Sequence, residues 1–203
     1  MKFKDTIGVF PKLFTPSECK ELLDLFEDYK KMGAAYAGEN ASGDMSLKKS
    51  IDYNLFMHEE QNASQIGKVS GLFNQALDKY LAEFPYKEEY DHSMVVTNKT
   101  FYPLFQIQKY NKGEGHYNAW HVEKEDFNTA RRMFVFILYL NDVEKGGETG
   151  FLFKEEGEED FFKVKPETGK LIIHPASWPY IHKGYMPESD DKYILTTWLM
   201  YGE

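Results

Sequence analysis

His121, Val122 and Glu123 stand together past the middle of a 203-residue chain, and far downstream His182 and Lys192 follow ten residues apart. In an extended strand, residues two apart point to the same side, so His121 and Glu123 can reach one ion together. Imidazole nitrogen and carboxylate oxygen are both donors to first-row divalent metals. A second imidazole from a distant strand would complete two nitrogens and one carboxylate on one side of a cation, leaving its other positions open. His-x-Glu alone is a weak signal, because six histidines and many acids produce it by chance. The plain alternative is an exposed strand end carrying polar side chains.

The elements that must position these residues differ between the two halves of the chain. Thr15, Pro16 and Glu18 have the pattern of a helix start with a capping box, followed by an apolar stripe of Cys19, Leu22, Leu23, Phe26 and Tyr29, with Gly33 as the stop. Ile7 to Phe14 is an extended lead-in. Residues 33–50, rich in small and polar types, are expected to be a mobile loop, and Ser50 to Leu55 a first strand. A second helix is expected from about Asn62 to Phe84, with Ile66, Val69, Phe73, Ala76, Tyr80 and Phe84 on one face. Beyond about residue 93 the chain turns to short apolar runs between turn residues. Phe101–Tyr110, Arg132–Leu140, Asp160–Val164, Lys170–His174 and Tyr193–Tyr201 are predicted strands, and the continuous run Val135 to Leu138 should be a central one. Helices first and strands after imply an α+β, mainly β fold, an antiparallel sandwich with N-terminal supporting helices. One domain is expected over 1–203, with helical support to about residue 90 and the β core from about 93.

Composition excludes several classes of function. A net charge of −9 offers no basic surplus for phosphates, so nucleic acid is not the expected partner. No apolar run approaches the roughly 20 residues of a membrane-spanning helix. The single cysteine, Cys19, rules out an internal disulfide and fits a reducing compartment, so a cytoplasmic, soluble protein is expected. Aromatic residues make up 16% of the chain, which suits an aromatic-walled cavity in a β core. Asn62-Ala63-Ser64 and Asn98-Lys99-Thr100 match the glycosylation pattern without a secretory context.

The order of motifs carries a more specific signal. Tyr110 and a glycine-containing loop precede His121-Val122-Glu123. Tyr139-Leu140-Asn141-Asp142 closes the apolar strand, Gly146-Gly147-Glu148-Thr149 follows, and His182 leads to Lys192 and Trp198. This series resembles the Fe(II)/2-oxoglutarate-dependent dioxygenases, most closely their prolyl 4-hydroxylase-like branch, over about residues 102–201. The resemblance implies a double-stranded β-helix, or jelly roll, with the metal in its mouth. It assigns His121, Glu123 and His182 as iron ligands. Lys192 and Tyr139 would bind the distal carboxylate of 2-oxoglutarate, and Tyr110 would lie near the co-substrate's metal-binding end. Trp198 is expected in the core. The implied requirements are Fe(II), 2-oxoglutarate and O2, with ascorbate as an accessory reductant. One departure stands out: the family usually has His-x-Asp, and a glutamate is one methylene longer, so it must fold back or shift the ion.

The expected activity is hydroxylation of a substrate carbon, with peptidyl proline favoured by the branch. A hydroxylase of another peptide residue or a small molecule is the alternative, as is a non-catalytic jelly-roll binding module. The oligomeric state is left open. The loop from Gly113 to Phe127 joins residues 33–50 as a candidate substrate lid. Tyr117 is left unassigned, and His58, His92, His116, His174, Arg131, Arg132 and the acidic run Glu155 to Asp160 are expected to be solvated or plainly polar.

Overall fold

Period-two alternation organises the core. Along Arg132–Tyr139 the side chains of Phe134, Phe136 and Leu138 pack on one side with the helices, while Val135, Ile137 and Tyr139 pack on the other with a second sheet. The computed structural model describes residues 1–4, 6–38, 44, 46–57, 59–84, 88, 99–154 and 161–202. In chain order the elements are β1 (Lys2–Lys4), β2 (Ile7–Phe10), α1 (Pro16–Lys31), β3 (Tyr36–Ala37), β4 (Lys48–Lys49) and β5 (Ile51–Phe56). Next come α2 (Ala63–Ala82), β6 (Thr100–Phe101), β7 (Leu104–Tyr110), β8 (His116–His121), β9 (Arg132–Tyr139) and β10 (Thr149–Lys154). The chain ends with β11 (Phe161–Val164), β12 (Leu171–Pro175), β13 (His182–Gly184) and β14 (Lys192–Tyr201).

Among the described residues the strands form two sheets. The larger has the order β1-β2-β12-β9-β14-β7-β5-β3, with β6 pairing β14; the smaller has the order β11-β10-β13-β8-β4. All pairings between these strands are antiparallel. β9 lies between β12 and β14, as its apolar run requires. The two helices pack on the outer side of the larger sheet, and the two sheets enclose the second core. This is the expected double-stranded β-helix with supporting helices.

Helix α1 carries the complete capping box. Glu18 N–H donates to the Thr15 hydroxyl at 3.3 Å, and Thr15 N–H donates to the Glu18 carboxylate at 2.8 Å. In α2, Phe73 stacks on Phe136 at 5.2 Å and meets Phe14 and Phe105 edge-on at 5.7 Å each. The α2 stripe therefore packs directly on the sheet.

Several expectations are corrected. The first ninety residues are more than helical support, since β1, β2, β3 and β5 extend the larger sheet and β4 the smaller one. The expected loop 33–50 holds β3 and β4, and Lys48 within it is buried against Asp52; residues 39–43 and 45 lie outside the described set. The strand expected at Phe101–Tyr110 is broken at Tyr102-Pro103, where proline removes a ladder donor. Strand β10 was not anticipated, and β8 and β13 were expected only as strands carrying His121 and a second histidine, without bounds, because short polar strands show little periodicity. Asn62 is buried and bonded to Tyr29 and Glu59, unsuited to carry a glycan. His58, His92, Asn98 and the run 155–160 lie outside the described residues. Among the described helices, none is long and apolar enough to cross a membrane.

Candidate metal centre and its cavity

Strand register brings the two histidines together. His182 of β13 stands directly opposite His121 of β8, and the ring centroids are 4.4 Å apart. Glu123 lies just beyond the end of β8, its N–H donating to the Ala176 carbonyl at 3.1 Å. Glu123 Oε1 is 3.5 Å from Nε2 of each histidine. One donor atom from each of the three residues lies within 4.8 Å of the others.

The outer nitrogens of both rings are already committed. His121 Nδ1 donates to the Ala119 carbonyl at 2.9 Å, and His182 Nδ1 to the Tyr180 carbonyl at 3.1 Å. A carbonyl can only accept, so each Nδ1 carries a hydrogen and each ring turns its Nε2 inward, toward Glu123. Backbone carbonyls orient metal-bound histidines in this way. Burial, together with the neighbouring His121, lowers the His182 pKa. Burial opposes ionisation of Glu123, but the two imidazoles outweigh it and hold its carboxyl well below the usual range. Two ring nitrogens and a carboxylate oxygen thus converge on one point, a donor set that fits a divalent cation with a free side.

The trio opens into a cavity of about 680 Å³ between the sheets. Across it, on the larger sheet, Lys192 and Tyr110 form a cross-strand pair of β14 and β7. Lys192 is only 2% exposed, with Nζ donating to the Gly147 carbonyl at 3.0 Å and lying 4.6 Å from the Tyr110 ring centre. Burial lowers its pKa to about 8, opposed by the nearby charge of Glu148. Gly147 can present that carbonyl because its φ of 77° lies in the left-handed region, which a Cβ disfavours. Asn141 holds the start of β14 by accepting from Tyr193 N–H and donating to the Asp191 carbonyl, both at 2.8 Å. The Tyr-Leu-Asn-Asp motif therefore serves to place Lys192.

Of the residues singled out in the sequence, His121, Glu123, His182, Lys192 and Tyr110 all line this cavity. Tyr139 does not. Its hydroxyl is spent on Thr149 Oγ1 at 2.6 Å and the Val164 carbonyl at 3.1 Å, and Thr149 reaches the cavity instead. The Tyr110 hydroxyl donates to Gln108 at 3.1 Å. Tyr117 stacks on His121 at 3.9 Å. His174 is fully buried 4.7 Å from His182, with no hydrogen-bond partner for Nε2 among the described residues, and burial pushes its pKa down to about 3. It is a core histidine, not a solvated one.

Two further residues meet the glutamate. Arg132, expected on the solvated rim, and Trp198, which packs against the core as expected, both donate to Glu123 Oε2 at 2.9 Å. No spacing rule links positions 123, 132 and 198. The sequence singled out the glutamate as one methylene longer than the usual aspartate but gave no sign of these two donors. Gln106, Gln108 and Lys48 also line the cavity, and periodicity had marked none of them.

Known proteins resemble this chain in sequence and in fold. The sequence profile of the 2OG-Fe(II) oxygenase superfamily matches residues 105–200. Prolyl 4-hydroxylase 13 of Arabidopsis thaliana is 29% identical over 98% of this chain and 72% of its own length. The fold is shared with a prolyl hydroxylase solved in complex with a hypoxia inducible factor oxygen degradation domain peptide fragment from Trichoplax adhaerens. That likeness has a TM-score of 0.73 at 14% identity, over 97% of this chain and 84% of the other. A Pseudomonas putida prolyl-4-hydroxylase gives a TM-score of 0.67 at 14% identity, over 97% and 93% of the two chains.

Proposed function

We propose that this chain, a 2OG-Fe(II) oxygenase of the prolyl 4-hydroxylase-like branch, hydroxylates peptidyl proline, with His121, Glu123 and His182 as the iron ligands. The observation that carries the reading is one cavity with a three-donor site on one wall and a buried ammonium on the other. When bound, Fe(II) supplies the oxygen activation that couples oxidative decarboxylation of 2-oxoglutarate to hydroxylation of a C–H bond.

The protein's own groups supply position, charge and exclusion of water. Lys192 offers a single buried charge to the distal carboxylate of 2-oxoglutarate, and the Gly147 carbonyl and Tyr110 ring keep that charge in place. The Ala119 and Tyr180 carbonyls orient both imidazoles with Nε2 toward the ion site. Tyr36, Gln106, Asp126 and Thr129 line the same cavity and form the substrate side in this reading. Their hydrogen-bonding groups suit a peptide backbone, which supports a peptide over a small apolar molecule.

Incubation with Fe(II), 2-oxoglutarate, ascorbate and a panel of proline-containing peptides is expected to give a one-oxygen mass gain on proline, with matching succinate. Succinate coupled to oxidation of some other residue, and never of proline, would overturn the proline assignment.

A further inference from the structure

We infer that Arg132 and Trp198 are positioning residues that make Glu123 a one-oxygen metal ligand, an inference that rests on the metal site proposed above. The two oxygens of this carboxylate have separate surroundings. Oε1 faces the two imidazoles at 3.5 Å each. Oε2 accepts from Arg132 Nη1 and from Trp198 Nε1, both at 2.9 Å. Arg132 Nη1 also donates to the Glu123 backbone carbonyl at 3.0 Å, so one guanidinium grips both ends of the residue. The guanidinium in turn lies 3.9 Å from the Trp198 ring centre, and the two donors therefore hold each other in place.

The clamp spans the sandwich. Arg132 begins β9 and Trp198 lies in neighbouring β14, both in the larger sheet, while the histidines belong to the smaller one. Charge-assisted bonds of this length, with the arginine side chain only 22% exposed, are the strong kind. With Oε2 held by two donors, the carboxylate cannot swing both oxygens onto a cation, and a coordination position stays open. The length of glutamate is what permits this arrangement. An aspartate retracts the carboxylate by roughly 1.5 Å, so it can keep the clamp or the metal but not both.

The test is anaerobic Co(II) titration of the full chain, read by visible absorption, on the wild type, Trp198→Phe, Arg132→Leu and Glu123→Asp. Trp198→Phe keeps a ring and deletes the donor, so it reports on the clamp if Arg132→Leu does not fold. Each variant is expected to raise the Co(II) dissociation constant by about 10- to 100-fold and to alter the Co(II) band. With a cation bound, the shorter acid must leave the clamp to reach it, so adding Trp198→Phe to Glu123→Asp should cost less than Trp198→Phe costs the wild type; an equal cost in both backgrounds would overturn the clamp. A variant that only lowers the melting temperature, with affinity and band unchanged, would show a structural role and overturn the clamp alone. Failure of the wild type to bind Co(II) would overturn the metal site itself, and the clamp with it.

Discussion

At the scale of single residues, Lys192 has the most consequential environment. Its ammonium is buried, and its pKa lies at about 8 against an ordinary 10.5. Below about pH 8 the lysine is charged whether the chain is folded or unfolded, and the folded state bears the whole cost of burying that charge. Between that value and the ordinary one the unfolded chain holds more protons, so stability rises with pH in this window. The shift corresponds to about 3 kcal/mol, less whatever the Gly147 bond returns. Lys192→Met is therefore expected to stabilise the ligand-free protein at neutral pH by about 1–3 kcal/mol in urea unfolding, with the advantage shrinking as pH climbs past 8. The same substitution should weaken 2-oxoglutarate binding strongly and Co(II) binding little. Wild-type affinity for 2-oxoglutarate should itself fall above about pH 8. Equal weakening of both ligands would refute the assigned role.

At the scale of elements, helix α2 and strand β9 meet through one aromatic cluster. Phe73 has no exposed surface and contacts rings from the α1 approach, β7 and β9 at once. β9 carries Arg132 at its start and pairs with β14, which carries Lys192 and Trp198. Phe73→Ala should cost about 3–5 kcal/mol in chemical denaturation, from lost transfer energy plus a cavity. Thr15→Ala, which deletes only the helix cap, should cost nearer 1 kcal/mol. A Phe73→Ala loss no larger than that of the cap would mean that the helices buttress the sheet only loosely.

At the scale of the whole molecule, two apolar clusters fill the space between helices and sheet and between the sheets. The second borders the metal centre through Phe151 and Trp198, while the larger first cluster lies on the far side of the sheet. Chelation is therefore expected to leave the far-ultraviolet circular dichroism unchanged. Saturating Co(II) should raise the melting temperature, in keeping with about 2.7 kcal/mol for a ligand at a hundred times its dissociation constant. Loss of secondary structure on chelation would instead make the ion part of the fold. The acidic surface implied by a net charge of −9 does not enter this balance, since solvated charges of one sign bear on solubility more than on packing.

The sequence by itself determined what local chemistry can encode. The capping box at Thr15, the stripe of α2 and the centrality of β9 each follow from period and side-chain type within a few residues. The motif order also reached His121, Glu123, His182, Lys192 and Tyr110, because their spacing resembles a known pattern. Tertiary structure alone decided the rest. Register sets His182 opposite His121, Thr149 at the start of β10 takes up the hydroxyl of Tyr139, and pairing of β9 with β14 brings Arg132 and Trp198 to one carboxylate oxygen. These contacts join residues far apart in the chain, and a hydrogen bond depends on where two atoms meet in space, which no local period records.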